Sequence, residues 1–504
     1  MNPDITKIIV GPPGTGKTTT LLTIAEGMME SGYRPNEICF VTFTRKGAHE
    51  AKARAMTKFN LQEQDLPWWK TLHSLAFSQL GLSRSQIMGF GDYTQLCGQL
   101  GLSITNKGMS EDGNISGLSK GDRLFFMENM ARAKMVPLKQ YWEDNYMEDI
   151  MWYELERLSN TMLAYKAAQG KQDFTDIIYS FNSLPNVPQI KTIIIDEAQD
   201  LTPLQWNMVK HLAKDVEQIY IAGDDDQAIF KWAGADVDYF MAIQGQRSVL
   251  PRSYRVPIAV QNVAETIAKR IETRIPKTWE PTKEQGIVEY VTDLGQIDMS
   301  QGQWLLLGRN LFALEAYNRH CLDMGYVFSS HIGSPISSET LPAIIHWEDL
   351  RKGKSIMAKF IKPIYDLMSA REKIRHGSKT QLEKVSDETI LNMAQLIQDY
   401  GLLTDEIWHL AMDRIPVHER EYFISALRRG EKLMKEPRIK INTIHSVKGG
   451  ESDNVVILPD MASRTWKEYQ TNPDDEHRVW YVAVTRTKKA LYILTPKTDK
   501  AYEI

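Results

Sequence analysis

The sequence predicts an α/β protein with two parallel sheets, each interrupted by a helical insertion. Short runs of β-branched and apolar residues end in polar residues and alternate with helical patterns. This is typical of parallel sheets that bind ligands at the carboxyl ends of their strands. Two longer stretches, roughly residues 80–170 and 335–435, have helical patterns instead. The predicted strands are residues 5–10, 38–43, 192–195, 304–307, 454–458 and 490–494.

The composition is that of an ordinary globular protein. The chain has 504 residues, of which 42% are hydrophobic and 25% are charged, and its formal net charge is −4. Disordered, collagen-like and disulfide-scaffold proteins have other compositions, so these classes are excluded. The weak net charge argues against a protein coated with nucleic acid, although it allows a local basic track.

Signals for export or membrane insertion are absent from the sequence. No stretch has the roughly 18 consecutive apolar residues of a membrane span. The first residues, MNPDITKIIV, lack the pattern of a signal peptide. Cys39, Cys97 and Cys321 lie far apart and form no Cys-x-x-Cys motif, which argues against a zinc site and a disulfide framework. We therefore expect a soluble protein of a reducing compartment.

A phosphate-binding loop follows the first predicted strand. Residues 11–18, GPPGTGKT, fit the pattern G-x-x-x-x-G-K-[ST], in which backbone N–H groups wrap a phosphate at the start of the next helix. We expect Lys17 to neutralise charge on the β- and γ-phosphates and the Thr18 hydroxyl to hold Mg²⁺. The strand before and the helix after disfavour a plain glycine-rich turn. The predicted nucleotide-binding residues of this loop are Gly11, Pro12, Pro13, Gly14, Thr15, Gly16, Lys17, Thr18 and Thr19.

An acidic pair complements the phosphate loop. The apolar strand 192–195 ends at Asp196, which we expect to coordinate Mg²⁺, and Glu197 follows as the candidate that orients and deprotonates the attacking water. Alone, two adjacent acids at a strand end usually form a solvated turn. Together with the phosphate loop they predict a magnesium-dependent ATPase, but they do not indicate which process the hydrolysis drives.

Further segments resemble the motifs of superfamily 1 helicases, and specifically of the UvrD/Rep branch. They stand in the family's order between residues 11 and 486. The resemblance implies two RecA-like domains. The segments are 41–46 (VTFTRK), 71–74 (TLHS), 173–176 (DFTD), 196–200 (DEAQD), 223–236 (GDDDQAIFKWAGAD), 253–255 (SYR), 443–451 (TIHSVKGGE) and 481–486 (YVAVTR). The predicted domains are a first motor domain (1–80 and 171–247) with a helical insertion (81–170), and a second motor domain (248–334 and 436–504) with another (335–435).

The resemblance assigns roles around the nucleotide. Phosphoryl transfer needs positive charge to stabilise its transition state, which suits Arg255 and Arg486, although a surface salt bridge is the ordinary role of an arginine. Both are distant from the phosphate loop in sequence, so we expect them to come from the second α/β unit and ATP to lie between the two units. The family also implies that Gln227 senses the γ-phosphate, that Tyr254 stacks on the adenine and that Glu451 contacts the ribose.

The resemblance also implies a track for single-stranded DNA. Trp232, only five residues after Gln227, would stack on a base; Phe43 has a similar implied role, and Phe230 is a further candidate. Core packing is the alternative for these aromatic residues. The other predicted DNA contacts are Thr44, Lys46, Thr71, His73 and His445. The Lys and Arg residues between Arg351 and Lys384 could contact duplex DNA, although a solvated helical face is the favoured interpretation.

Three features depart from the family pattern. No glutamine occurs among the ten residues before Gly11, where the family has one that reads the adenine edge, so we expect a relaxed nucleotide preference. The loop GPPGTGKT is frequent in the opposite-polarity branch, but Trp232 in the third motif favours UvrD/Rep. The second insertion is short for the family, at about 100 residues.

These observations predict an enzyme that uses ATP and Mg²⁺, moves 3′→5′ on single-stranded DNA and unwinds duplex. We expect a cytoplasmic monomer, in a bacterial or phage-infected cell, that acts at single/double-strand junctions with replication, recombination or repair proteins. One alternative is a translocase that displaces proteins or serves a partner nuclease without unwinding. Others are a nucleotide-gated nucleic-acid-binding module and a motor on RNA.

Overall fold

A computed structural model describes residues 1–105, 119–333, 339–431 and 436–504, apart from the side chain of Lys46. The chain divides into two compact units. The first comprises Met1–Glu289, Ile444–Glu451 and Pro459–Ile504, and the second comprises Tyr290–Thr443 and Ser452–Leu458. The predicted domain boundaries at 334–335 and at 435 lie outside the described residues. The predicted division into two motor domains and two insertions stays a prediction.

The first unit contains a six-stranded parallel sheet. Its strands are β1 (Thr6–Val10), β2 (Ile38–Thr42), β3 (Trp69–Thr71), β4 (Thr192–Asp196), β5 (Gln218–Gly223) and β6 (Gln246–Val249). They lie in the order β3-β2-β4-β5-β1-β6, and every neighbouring pair is parallel. This confirms the predicted fold class for this part of the chain. The sequence analysis missed β3, β5 and β6; β3 has only three residues, and β6 has an exposed, polar pattern.

The central strands are buried on both faces, which explains why their sequences are continuously apolar rather than alternating. In β4, Ile193 and Ile195 face one hydrophobic core and Ile194 faces the other. Helices cover both faces. The helices up to residue 289 are α1 (Lys17–Glu30), α2 (Arg45–Phe59), α3 (Leu72–Gln79), α4 (Phe90–Leu100), α5 (Lys120–Lys134), α6 (Leu138–Asp144), α7 (Trp152–Gln169), α8 (Phe174–Asn182), α9 (Pro203–Leu212), α10 (Val237–Ala242) and α11 (Ile258–Ala268).

Helices α4 to α7 occupy the stretch predicted as the first helical insertion. Buried Leu124 and Met127 of α5 pack with Leu155 and Leu158 of α7 in a hydrophobic core that is separate from the cores of the sheet. Several aromatic and methionine residues of this stretch, among them Met130 and Tyr141, belong to this core. None of the described helices is both long enough and apolar enough to cross a membrane.

The second unit holds parallel strands of a second six-stranded sheet. The remaining strands of the chain are β7 (Ile287–Val291), β8 (Trp304–Gly308), β9 (Phe328–Ser330), β10 (Ile356–Met357), β11 (Ile390–Leu391), β12 (Ile439–Thr443), β13 (Ser452–Leu458) and β14 (Thr487–Leu494). Within the unit the order is β13-β8-β12-β9, with parallel neighbours. This parallel sheet confirms the second half of the predicted fold class. All six predicted strands match observed strands to within three residues.

The stretch predicted as the second insertion is mostly helical in its described part. It also contains a short antiparallel pair, β10 with β11, that the sequence analysis did not predict because each strand has only two residues. The remaining helices are α12 (Leu311–Met324), α13 (Thr340–Arg351), α14 (Ala358–Asp366), α15 (Ser378–Glu383), α16 (Met393–Asp399), α17 (Trp408–Ala411), α18 (Val417–Arg428), α19 (Ser463–Thr471) and α20 (Pro473–Val484).

Candidate nucleotide site and aromatic cluster

The phosphate loop connects the carboxyl end of β1 to the first turn of α1. Gly14 and Gly16 have φ angles of 71° and 80°, a left-handed conformation that favours glycine. A Cβ atom on Gly14 would lie 2.4 Å from Cβ of Arg255, so a side chain there has no room. No side chain caps the N-terminus of α1, which leaves its first N–H groups available to an anion.

The residues expected to hold Mg²⁺ lie in direct contact. The Thr18 hydroxyl donates a hydrogen bond to Oδ2 of Asp196 at 2.6 Å. Burial of Asp196, together with the adjacent Glu197, raises the pKa of the Asp196 carboxyl to about 6. A bound cation would relieve that cost, and a hydroxyl plus a carboxylate are hard oxygen ligands of the kind that Mg²⁺ takes. The residues present therefore fit a magnesium ion.

The remaining loop residues differ in where they lie. Lys17 donates from Nζ to the carbonyl oxygen of Gly11 at 2.8 Å, so its ammonium group lies back over the loop. The Thr15 hydroxyl donates to the carbonyl oxygen of Pro12 at 2.8 Å and closes the turn. Thr19 is exposed on α1 and lines a cleft with residues of α2. The structure thus gathers Lys17 and Thr15 at the loop and places the Thr19 side chain in a cleft with α2.

Glu197 follows Asp196 in a left-handed conformation, with φ 54°. Its Oε2 accepts a hydrogen bond from Nε2 of Gln199 at 2.6 Å. Burial alone would raise the pKa of Glu197, but the positive charges of Lys17 and Lys448 outweigh it and hold the pKa below its ordinary value. A carboxyl group that stays ionised and oriented can accept a proton from water.

Arg486 is buried without a carboxylate partner among the described residues. Its guanidinium donates to the carbonyl oxygens of Val482 (3.0 Å) and Gly450 (3.1 Å) and to Oε1 of Gln227 (3.1 Å). Burial, together with the like charge of Arg255, lowers the pKa of Arg486 to about 9. A buried cation that is paired only with neutral oxygens is costly, so this position suits the binding of an anion.

Residues 253–255 dock on the phosphate loop within the first unit. The Ser253 hydroxyl donates to the carbonyl oxygen of Pro13 at 2.7 Å. The backbone N–H of Tyr254 donates to the carbonyl oxygen of Gly14 at 2.8 Å. The Tyr254 side chain is 75% exposed, so its ring is open to a flat ligand. Arg255 pairs through Nε with Glu451 at 2.6 Å. The structure thus brings three of the predicted residues to one loop: Tyr254 for the adenine, Glu451 for the ribose and Arg255 for the transition state.

The acidic segment before Gln227 is held by a lysine that the sequence analysis missed. Nζ of Lys277 lies 2.9 Å from Oδ1 of Asp224, 2.5 Å from Oδ1 of Asp225 and 3.0 Å from Oδ2 of Asp226, and all four side chains are fully buried. Asp224 in turn accepts a hydrogen bond from Nε2 of Gln227 at 2.5 Å. Three consecutive aspartates that are buried need a positive charge beside them. The run of aspartates in the sequence indicated this need, but not which residue would supply the charge.

Replacing Lys277 with methionine is expected to lower the free energy of unfolding of the first unit by about 3–5 kcal/mol. The reason is that the three buried carboxylates would lose the ammonium group that contacts all of them, and buried charges without a partner are costly. Chemical denaturation monitored by tryptophan fluorescence measures the loss. Lys283→Met is the matched control, because Lys283 is exposed on the same segment. A loss as small as that of the control would contradict this prediction.

Four aromatic residues predicted as DNA contacts form one cluster. The rings of Phe43 and Phe230 stack with centroids 5.4 Å apart, and the ring of Trp232 lies 6.2 Å from Phe230. His445 lies 6.2 Å from Trp232, edge to face. His445 is buried, whereas Phe43, Phe230 and Trp232 are partly exposed. The cluster therefore exposes part of three aromatic rings to solvent, whereas the ring of His445 is buried.

The other residues predicted to contact DNA make contacts within the first unit that stabilise its fold. The hydroxyl of Thr44 accepts a hydrogen bond from the N–H of Gly47 and caps α2, and that of Thr71 accepts one from the N–H of Ser74 and caps α3. Burial and the charge of Arg45 lower the pKa of His73 to about 4, so this side chain is neutral at physiological pH. The side chain of Lys46 lies outside the described part of the chain. Their contacts with DNA stay predictions.

Basic residues of the second insertion are engaged in ion pairs on the surface of that region. Arg351 pairs with Glu348 at 2.8 Å, Lys362 with Asp387 at 2.7 Å, and Lys373 with Glu406 at 2.6 Å. Exposed pairs of this kind contribute little to stability. Their presence agrees with a solvated helical face, the interpretation favoured from the sequence.

Comparison with known families decides the relationship. The UvrD/REP helicase N-terminal domain matches residues 3–247, and the UvrD-like helicase C-terminal domain matches residues 130–498. The chain belongs to the UvrD-like helicase family. The family assignment made from the motifs is therefore confirmed.

Individual relatives of this UvrD-like chain are distant. The ATP-dependent DNA helicase PcrA of Bacillus subtilis (strain 168) is 25% identical over 367 residues, which are 66% of this chain and 46% of PcrA. The putative ATP-dependent DNA helicase YjcD of the same organism is 25% identical over 296 residues, 55% of this chain and 38% of YjcD. The matches thus span less than half of these relatives' length. A solved structure of the arterivirus nonstructural protein 10 (helicase) with DNA aligns with 98% of this chain and with 62% of the arterivirus chain, at 10% sequence identity. Its TM-score of 0.34 is too low to support any conclusion.

Proposed function

We propose that this chain is an ATP-driven motor that moves 3′→5′ on single-stranded DNA and separates the strands of a duplex. Family membership supports the proposal, since PcrA of Bacillus subtilis is described as an ATP-dependent DNA helicase. Direction of movement comes from the resemblance to the UvrD/Rep branch. We further propose cytoplasmic action as a monomer, with proteins of replication, recombination or repair as partners.

One observation carries the proposal: Gln227 and two members of the aromatic cluster, Phe230 and Trp232, belong to a single short segment. The side chain of Gln227 contacts Arg486, the candidate for transition-state stabilisation, at 3.1 Å. Phe230 and Trp232 follow three and five residues later and pack with Phe43 and His445. A change at the γ-phosphate would therefore move the surface on which bases stack, as a nucleotide-driven motor on single-stranded nucleic acid requires.

The chain's own residues account for ATP hydrolysis. Backbone N–H groups of the phosphate loop and the Lys17 ammonium would bind the phosphates. Thr18 and Asp196 would hold Mg²⁺, which when bound neutralises charge on the phosphate oxygens. Glu197 would orient the attacking water and accept its proton, while Arg486 and Arg255 stabilise the charge of the transition state. Tyr254 would stack on the adenine and Glu451 would contact the ribose.

We also propose the domain roles expected from the motifs. Residues 1–80 and 171–247 would form the first motor domain, and residues 248–334 and 436–504 the second. Residues 81–170 and 335–435 would be their helical insertions. The two compact units of the structure divide the chain differently from these proposed domains, since the segments that contain Arg255, Glu451 and Arg486 belong to the same unit as the phosphate loop. Single-stranded DNA would lie along the Phe43, Phe230, Trp232 and His445 cluster.

The test compares ATP hydrolysis with and without single-stranded DNA, and unwinding of duplexes that carry either a 3′ or a 5′ single-stranded tail. We expect DNA to stimulate hydrolysis and only the 3′-tailed duplex to be unwound. Lys17→Ala is the inactive control, because it removes the charge that binds the phosphates. Unwinding only from 5′ tails would overturn the proposed direction.

The same measurements separate the proposal from its alternatives. DNA-stimulated hydrolysis and displacement of a bound protein, without unwinding of either duplex, would favour a translocase that clears or delivers DNA. DNA binding that depends on nucleotide, with hydrolysis too slow to drive movement, would favour a gated binding module. Hydrolysis rates with ATP, GTP and CTP test the relaxed nucleotide preference, which a strong preference for ATP would contradict.

A further inference from the structure

Lys448 occupies a position that joins three parts of the first unit. Its Nζ lies 2.6 Å from Oδ1 and 2.5 Å from Oδ2 of Asp200, and it donates to the carbonyl oxygen of Gln227 at 2.6 Å. The same ammonium lies 5.0 Å from the ring centroid of Phe230. Only 9% of its side chain is exposed. So far this lysine has entered only through its charge, which together with that of Lys17 holds the pKa of Glu197 below its ordinary value; no part in binding nucleotide or DNA has been assigned to it.

The first connection leads to the candidate general base. Asp200 is buried, and its Oδ2 accepts a hydrogen bond from Nε2 of Gln199 at 3.2 Å. The same amide nitrogen of Gln199 donates to Oε2 of Glu197 at 2.6 Å. A displacement of Lys448 would therefore shift Asp200 and, through Gln199, the orientation of Glu197.

The second and third connections lead to the nucleotide sensor and to the DNA track. Lys448 holds the backbone of Gln227, whose side chain contacts Arg486. On its other side it lies against Phe230, which stacks on Phe43 and contacts Trp232. A partly desolvated cation over a ring is attracted to its face, so the positions of the ring and the ammonium depend on each other.

We infer that Lys448 is a positioning residue through which DNA bound at the aromatic cluster and nucleotide bound at the phosphate loop change each other's affinity. This inference rests on the proposed function. A base that stacks on the cluster would move the Phe230 ring, and the ammonium would follow it relative to Asp200 and Gln227. Coupling between two binding sites is reciprocal, so nucleotide must change DNA affinity by the same factor.

The test measures that factor directly. The affinity for a fluorescein-labelled oligothymidylate is measured by anisotropy with and without a non-hydrolysable ATP analogue and Mg²⁺. We expect the wild-type chain to show a ratio of about 5–150 between the two affinities, the usual range of such coupling. In Lys448→Met the ratio should approach 1, while the affinity for DNA alone and for nucleotide alone changes by less than about threefold.

Two further variants separate coupling from folding. Lys52→Met is the matched control, because Lys52 also pairs with an acid at 2.8 Å, but that acid, Glu63, is 78% exposed. Phe230→Leu removes the ring and leaves the ion pair with Asp200, so it should also lower the ratio. The Phe230→Leu, Lys448→Met double variant should lose little more than either single variant, because the two changes interrupt one connection.

We expect the Lys448→Met variant to fold. Burial raises the pKa of Asp200 to about 7 even with Lys448 beside it. When the lysine is removed, Asp200 can take a proton, and no unpaired buried charge is left. If Lys448→Met nevertheless fails to fold, Phe230→Leu carries the same test.

The outcomes distinguish this inference from the proposed function. A wild-type chain that neither hydrolyses ATP nor binds DNA would overturn the proposed function. A wild-type ratio near 1, or a Lys448→Met ratio within about twofold of the wild-type value, would overturn the inference about Lys448 and leave the ATPase assignment intact.

Discussion

Replacing Arg486 with lysine is expected to lower kcat for ATP hydrolysis by about 10³–10⁵-fold, the usual contribution of an arginine that stabilises phosphoryl transfer. The guanidinium is buried and forks between the carbonyl oxygens of Val482 and Gly450 and the side chain of Gln227. A lysine has one charged nitrogen and cannot make this set of contacts. Burial also lowers the pKa of a lysine more readily, so the substitution would weaken the positive charge itself.

Steady-state kinetics with saturating DNA measure the effect of the Arg486 substitution. Arg270→Lys is the matched control, since Arg270 lies over the ring of Tyr502 near the end of the chain and should keep wild-type activity. Thermal unfolding of both variants excludes loss of the folded state. If Arg486→Lys kept activity within about tenfold of the wild type, the transition-state role of Arg486 would be refuted.

Replacing Glu197 with glutamine is expected to lower kcat by about 10²–10⁴-fold, because general base catalysis contributes a factor of that size. The substitution preserves the shape of the side chain and removes the carboxylate that the proposed general base needs to accept a proton. The positive charges of Lys17 and Lys448 hold the pKa of Glu197 below its ordinary value, so the wild-type side chain is ionised at neutral pH. Affinity for nucleotide should change little, since a glutamine still accepts the hydrogen bond from Gln199.

Single-turnover hydrolysis separates the chemical step from binding in this variant. Glu63→Gln is the matched control, because Glu63 is exposed and forms only a surface pair with Lys52. A fall in nucleotide affinity with kcat unchanged would show that Glu197 binds substrate and transition state equally instead of acting as the base. In that case another residue would have to accept the proton.

Much of the site could be predicted from the sequence because its signals are local. The phosphate loop, the Asp196-Glu197 pair and residues 223–236 are contiguous segments whose glycines, acids and aromatic residues follow fixed spacings. The strands that support them are apolar on both faces, which makes them recognisable without a partner. The sequence analysis missed β5, although this strand is apolar and leads directly into Asp224.

The buried ion pairs could not be predicted in the same way. Lys277 lies 52 residues after Asp225, and Lys448 lies 248 residues after Asp200. Many lysines of this chain sit near acids on the surface, where pairing is weak and unspecific. A lysine pairs strongly with an acid when packing buries both of them away from water. That packing is not visible in any local sequence pattern.

The sequence by itself determined the family, the two parallel sheets and the position of the phosphate loop between β1 and α1, because each rests on short segments whose residues act together within one turn or strand. Only the tertiary structure decided which charges are buried and paired. It placed Arg486 against Gln227, 259 residues away in the chain, and Lys448 between Asp200, Gln227 and Phe230. The physical reason is that desolvation, which makes such contacts strong, is a property of the folded interior and not of any segment alone.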